Sequence, residues 1–530
     1  MFRKSYLFLF VLILLLGLGI AACDTADEET PAVDEEEAAD EEVEEGEEAA
    51  VRDTLVASMD TQLGSMDPSF VNTAGDYYAI RLWNDSLVFI DEEGQPDLER
   101  SVASSWEVNE DGTVWTFELP EGILFHDGKE MTSRDVKFTY DRLRDPEIGA
   151  TTVEMYSNIV DISTPDDYTI VFELENVNPT FLIDLNPHQS MILDADNPDY
   201  DTVYNGIGPF VVDEYVPEDR ITFNRNENYW RSDSEGTQLP YLERVELVIM
   251  QDASTRMEAM RGGQTQLTTS VPGEFIDVLD AEEHLQVVTG PSNTHHTIRM
   301  RSDVEPFNDV RVRQALKMAT NRSEIAEVAY EGVASVGLDT PIGPAYGDLF
   351  FGKPEPERDI EQAKELLAEA GYPDGLELTL VCVESSPIAD IAILWQEQMK
   401  DIDVNVDIEL TSSDNYYSQW LDLDLGITSW GSRVNPYHYF ALAYVTGAQW
   451  NETHFSDPEL DELVSALSVE LDDDERVRLY HEIQQIMFER GPVIIAGFVQ
   501  NVFAMDNDLQ GLNPHIEKES LDFTEFYFSN

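Results

Sequence analysis

The stretch Trp106-Glu107-Val108-Asn109-Glu110-Asp111-Gly112-Thr113-Val114-Trp115-Thr116-Phe117-Glu118-Leu119 decides how the rest of the chain is read. Asp111-Gly112 is a turn pair that tolerates positive φ, and from Val114 the side chains alternate. Trp115, Phe117 and Leu119 fall on one face, with Val114, Thr116 and Glu118 on the other. Period-two alternation on both sides of such a turn predicts a β-hairpin. Ile123-Leu124-Phe125 leads into a second turn, His126-Asp127-Gly128-Lys129. Thr132 and Asp135 then stand at capping-box spacing ahead of a helix with Val136, Tyr140 and Leu143 inward, stopped by Asp145-Pro146.

Five pieces of this text occur in order within about forty residues: Ser105-Trp106-Glu107, Asp111-Gly112, Trp115-Thr116-Phe117, Phe125-His126-Asp127-Gly128 and Asp135-Val136-Lys137-Phe138. Their order resembles the family 5 extracellular solute-binding proteins, the peptide- and nickel-binding receptors of ABC importers. The resemblance implies an α/β, two-lobed periplasmic-binding-protein fold of type II, large peptide-binding subclass, with a ligand cleft between lobes. It also implies a small-molecule ligand, a peptide first and nickel complexes or oligosaccharides after it. Permease subunits of the importer are the expected partners, and a monomer the expected state. No cofactor is implied.

The ends and the composition carry separate information. Arg3 and Lys4 precede an apolar run from Leu7 to Ile20, which closes on Ala21-Ala22-Cys23. A short charged start, an apolar segment below spanning length and small residues before a cleavage point describe a secretory signal over 1–22. Cys directly after them resembles a lipobox, which implies a lipid anchor on Cys23 and a location outside the cytoplasmic membrane. Residues 23–52 read as an acidic tether. Asp24 to Glu48 holds fifteen acidic residues and no aromatic one, and like-charge repulsion keeps such a segment extended. The other cysteine, Cys382, falls in an apolar run and reads as a buried, inert thiol.

The 530 residues carry a formal charge of −76, with lysine scarce after Cys23. That balance excludes nucleic acid as a partner. It fits a high-salt setting, where screening removes the self-repulsion of so acidic a surface.

Further along, Phe70 to Tyr78 matches the family's first ligand-side loop, which nominates Asn72, Asp76 and Tyr77 as ligand contacts. An equal reading makes Thr73 and Asp76 helix caps. Asp161 to Asp167 reads as a turn before the alternating strand Ile170, Phe172, Leu174. Gly206-Ile207-Gly208-Pro209 lacks the Lys-Ser/Thr of a phosphate loop and leads into a strand. His295-His296 lie next to each other on a strand, point to opposite faces and cannot easily chelate one ion. Asn308 is expected to cap a helix bearing Val312, Leu316 and Ala319. Helices also follow Asp359 and Asp457, the latter with Leu460, Leu463 and Leu467 inward, and another runs from Arg476 to Phe488. By resemblance, lobe 1 spans 53–300 with an inserted subdomain at about 91–204, lobe 2 spans 301–491, and 492–530 returns to lobe 1.

The segment Gly426 to Pro436 corresponds in the family to a strand end and loop that wall the cleft. Trp430 aligns with a tryptophan that packs over a ligand side chain, and Gly431, Ser432, Arg433 and Asn435 follow it as candidate contacts. Many peptide-binding members carry an aspartate three residues after this tryptophan, where it grips the ligand ammonium. This chain has Arg433 there. A guanidinium favours a carboxylate or phosphate, so an anionic or hydrogen-bond-accepting ligand group is expected, or an internal acid paired with Arg433. A secreted hydrolase is the rival from another class, but no Gly-x-Ser-x-Gly or His-Glu-x-x-His occurs. A receptor that signals rather than imports is the third reading.

Overall fold

The computed structural model describes residues 52–197 and 199–529. The expected leader 1–22, Cys23 and nearly all of the acidic tether lie outside them. Among the described residues no helix is long and apolar enough to cross a membrane.

Among the described residues, fifteen strands build the two larger sheets. In chain order they are β1 (Thr54–Met59), β2 (Ser105–Val108), β3 (Val114–Glu118), β4 (Ile159–Asp166), β5 (Thr169–Leu174), β6 (Phe210–Val216), β7 (Arg220–Arg225) and β8 (Arg244–Ile249). Then come β9 (Leu267–Thr268), β10 (Leu285–Met300), β11 (Ala334–Val336), β12 (Leu376–Val383), β13 (Val404–Thr411), β14 (Leu425–Trp430) and β15 (Val493–Asp506). The large sheet runs β13-β12-β14-β10-β15-β9-β1-β8-β7-β6, with β11 on β15, and the small one runs β2-β3-β5-β4.

The small sheet is the expected hairpin, extended. Trp106 pairs with Phe117 and Val108 with Trp115 across a turn in which Gly112 has φ +70°. Trp115, Phe117 and Leu119 are buried as the alternation predicts. The helix Ser133–Arg144 covers this face, and its Val136, Tyr140 and Leu143 are each 0 % exposed. Burial of this kind contributes roughly 1.5–3 kcal/mol per side chain. Asp135 accepts from the Thr132 backbone N–H at 3.0 Å, which satisfies one orphan donor of the helix start.

Asp161 to Asp166, expected as a turn, is strand β4 instead. It is the edge of its sheet, and its register slips twice against β5. An edge strand can hold Pro165 and a solvent-facing row of polar residues, so a turn-like composition there is compatible with pairing. The helix Val310–Ala319 is capped by Asp309, one residue after the expected Asn308, with its carboxylate accepting from Arg311 N–H at 2.9 Å. In the helix Pro458–Leu467 the inward residues are Leu460, Val464 and Leu467, with Leu463 only half-buried. The helix expected from Arg476 begins three residues earlier, at Asp473, behind the cap Asp472.

Gly206 and Gly208 pass so close to Trp83 and Asn84 that a Cβ would sit 2.0 Å from Trp83 O or 2.3 Å from Asn84 N. Only glycine fits there. Cys382 is fully buried in β12, and burial pushes its thiol up to about 11.

Strands β10 and β15 are the longest, and they run through both halves of the molecule. Leu285–Gly290 pairs with Asn501–Asp506 beside β9 and β1, whereas Thr294–Arg299 pairs with Val493–Val499 beside β14. The register breaks between Gly290 and Thr294. One apolar core gathers Leu55, Ile80, Phe223 and Phe526, and another gathers Ile298, Met300, Leu316, Leu380, Trp395 and Ile494.

Candidate ligand cleft

A cavity of about 420 Å³ lies where β10 and β15 cross from one half to the other. A second, of about 610 Å³, adjoins it and shares Thr294, Asn501 and Lys518. Spaces of this size are typical of small-molecule sites.

One wall begins with the helix Ala74–Trp83. Its start is closed by a reciprocal cap in which Thr73 Oγ1 accepts from Asp76 N–H at 3.2 Å and Asp76 accepts from Thr73 N–H at 3.1 Å. Asp76 also accepts from the N–H groups of Gly64, Ser65 and Asn72. Four backbone donors occupy this buried carboxylate, and neither it nor the exposed Asn72 lines the cavity. The capping alternative fits Asp76. Tyr77, the third nominee of that loop, does line the cavity.

Tyr77 and Arg81 are four residues apart on one helix face, and both engage His188. The Tyr77 ring stacks on the imidazole with centroids 4.1 Å apart and planes 12° from parallel. Arg81 Nε–H donates to His188 Nδ1 at 3.0 Å. Nδ1 is therefore the acceptor, and the neutral ring carries its proton on Nε2, toward the cavity. Burial, then the Arg81 charge, holds His188 well below its usual pKa of 6.5.

The C-terminal segment adds Glu517, Lys518 and Glu519 to this wall. Burial, then the neighbouring Glu519 charge, raises the Glu517 carboxyl to about 7, while Arg81 and Arg433 pull it down. Its closest basic nitrogen is His188 Nε2 at 4.0 Å, on a neutral ring. Asp184, at the end of the short helix Phe181–Asp184, completes the wall.

The facing wall is the loop after β14. Of the candidates that the resemblance nominates there, Gly431, Ser432, Arg433 and Asn435 line the cavity and Trp430 does not. Trp430 is 6 % exposed, sits edge-on to Tyr439, and donates its Nε1–H to Glu452 at 3.1 Å. The alternation of the strand turns it into the core, where a buried carboxylate satisfies its one polar atom. Ser432 Oγ accepts from Asn293 N–H at 2.7 Å, which ties the loop to β10. Asn435 donates to Thr180 Oγ1 at 2.8 Å and Asp184 Oδ1 at 3.3 Å, bridging to the opposite wall. His438 Nε2 stands 3.7 Å from Asp184.

Arg433 lies near the rings of Tyr439 and Trp450, at 5.8 and 5.7 Å from their centroids. Its Nε is buried without a hydrogen-bond partner among the described residues, and its charge reaches the Glu517 carboxyl without a direct ion pair. His295 and His296 face apart, His295 Nδ1–H to Asn293 O at 2.8 Å and His296 toward Tyr330 OH at 3.1 Å.

Asp184, His188, Glu517 and Glu519 were not legible as site residues. They line the cavity with Arg433 only through the fold, and no local spacing marks them.

Comparison with known proteins places this architecture. The family model for bacterial extracellular solute-binding proteins, family 5 Middle, matches residues 97–452. The chain belongs to that family. This family 5 protein is similar to the glutathione-binding protein GsiB of Escherichia coli (strain K12), with 26 % identity over 438 residues, covering 78 % of this chain and 83 % of the relative. Its fold matches that of HbpA2 from Haemophilus parasuis at a TM-score of 0.80 and 22 % identity, covering 90 % and 100 % of the two chains. It also matches the DppA protein of Helicobacter pylori in complex with the peptide STSA at 0.73 and 24 %, covering 90 % and 98 %. The two-lobed α/β periplasmic-binding-protein fold holds, and the chain is an extracytoplasmic solute-binding receptor of an ABC importer.

Proposed function

We propose that this receptor captures a peptide-class solute in the cleft between its lobes and releases it to the permease, acting as a monomer held to the membrane by lipid on Cys23. The observation that carries the reading is the 420 Å³ cavity closed between Tyr77, His188 and Glu517 on one side and Gly431 to Asn435 on the other. Charged and hydrogen-bonding groups on both walls suit a short peptide better than an apolar ligand. The likeness to a glutathione-binding protein supports the same class. Lobe 1 is read as 53–300 with its subdomain plus 492–530, and lobe 2 as 301–491. The core positions of Ile298, Met300, Ile494 and Ala496 support crossings that lie inside β10 and β15.

The solute leaves unchanged. Ser432 Oγ bonds the Asn293 backbone and lies 3.1 Å from Ser292 Oγ rather than against a histidine, which supports a binding role. Asn72 and Asp76 act here in holding the Tyr77 helix, and Trp430 in supporting the loop that carries Arg433. Calorimetric titration with di- to tetrapeptides, glutathione, a maltooligosaccharide and a nickel–histidine complex tests the assignment. Saturation by a peptide is expected; saturation by the sugar or nickel complex alone contradicts it.

A further inference from the structure

Most of the charged groups around the cleft are already compensated. Asp184 accepts from Asn178 at 2.8 Å and from Asn435, and Lys518 stands 4.0 Å from Glu519. Two groups on opposite walls are not compensated in this way. Among the described residues Arg433 has a buried Nε without an acceptor and no direct carboxylate partner, Glu517 feeling its charge only from farther away. Among the described residues Glu517 has no cation in a direct ion pair; its nearest base is the neutral His188 ring at 4.0 Å, and Arg81 and Arg433 act on it only from farther away. A charge enclosed by protein without a partner is unfavourable, and a ligand of complementary charge relieves it.

His188 points to a ligand independently. It is 6 % exposed, and Arg81 occupies its Nδ1, so its remaining N–H is aimed into the cavity without an acceptor within hydrogen-bond reach among the described residues. A carbonyl of a bound peptide supplies that acceptor.

We propose that the cleft reads its solute as a zwitterion in one polarity, the anionic group on Arg433 of the second lobe and the cationic group on Glu517 of the C-terminal return, with His188 Nε2–H donating to a carbonyl between them. The inference rests on the peptide reading above and adds direction to it. A guanidinium binds a carboxylate through two parallel N–H···O bonds, and a lone carboxylate accepts an ammonium from one side. The two ends of the ligand thus tie the two lobes together, which favours the closed form.

The test titrates the full chain with tri-alanine, N-acetyl-tri-alanine and tri-alanine amide. The free peptide binds, and acetylation and amidation each weaken binding at least ten-fold. In Arg433→Met the effect of amidation falls below two-fold while that of acetylation persists; in Glu517→Gln the reverse holds. Arg433→Lys and Glu517→Asp keep both discriminations and control for folding. Equal binding of all three peptides, or single variants that leave both discriminations intact, overturns the polarity while the peptide reading stands. Binding of none, with another solute saturating the protein, overturns both.

Discussion

Arg81 Nε–H donates to Nδ1 of His188 at 3.0 Å, and this one bond decides which imidazole nitrogen presents a proton to the cleft. Arg81 stays protonated, because burial lowers it only to about 10. In Arg81→Met the ring is free to exchange tautomers and loses a neighbouring positive charge. The His188 pKa then rises from its depressed position, though burial still keeps it under 6.5. Nitrogen-15 NMR of the imidazole across pH checks both effects. Peptide affinity falls about five- to ten-fold, the scale of one hydrogen bond.

Glu517 supplies a pH signature. Its carboxyl titrates near 7 rather than 4.5, chiefly from burial and then from Glu519, against the opposing charges of Arg81 and Arg433, with His188 beside it and Lys518 adjacent in the chain. A folded-state pKa above the unfolded one means that its stability contribution is fully present below about 4.5 and is lost as pH rises through about 7. The unliganded protein therefore loses on the order of 3 kcal/mol through this group by pH 8. Glu517→Gln removes the loss, so its thermal midpoint gains on the parent progressively from pH 5 to pH 8. A constant difference across that range counts against the assignment.

Arg299 and Glu452 are both 0 % exposed, with Arg299 Nε 3.6 Å from Glu452 Oε2. Arg299 also donates to Trp420 O at 2.7 Å and Glu452 O at 3.2 Å. Glu452→Leu leaves a buried guanidinium without its counter-charge and destabilises the fold by roughly 3–5 kcal/mol in chemical denaturation. The double variant Arg299→Met/Glu452→Leu recovers most of that. Because Glu452 also accepts from Trp430, the single variant weakens peptide binding as well.

Gly208→Ala forces a methyl group to within 2.3 Å of Asn84 N, in a place where both neighbours are backbone. The expected destabilisation is about 2–4 kcal/mol, measured by denaturant midpoint. A neutral result contradicts the close passage of this segment against Trp83 and Asn84.

The formal charge of −76 predicts that stability depends on salt. The thermal midpoint rises from low salt to molar salt as screening removes self-repulsion. A flat profile removes the high-salt inference without touching the fold.

What was legible in the sequence was what is local. The Trp106–Leu119 hairpin and the Thr132 cap each depend on residues within a few positions of one another, and alternation and spacing record them directly. The polar edge strand β4 misled because composition does not distinguish a turn from a strand that pairs on one side only. Trp430 is legible by its place in the motif, whereas its hydrogen bond to Glu452 and its position outside the cavity lining depend on the rotation of β14. Arg433 stood out as a departure from the family pattern, yet its counterpart Glu517 did not. The two line one cavity where β10 and β15 cross between lobes, which no spacing along the chain encodes.

The central claim is that two lobes close on a peptide and hold it by its charged ends. Small-angle scattering of the full chain, with and without saturating tri-alanine in the same salt, measures that closure most directly. The account predicts a smaller radius of gyration with the free peptide and no change with the doubly blocked peptide. Identical profiles in all three conditions, with binding shown by calorimetry, would contradict it.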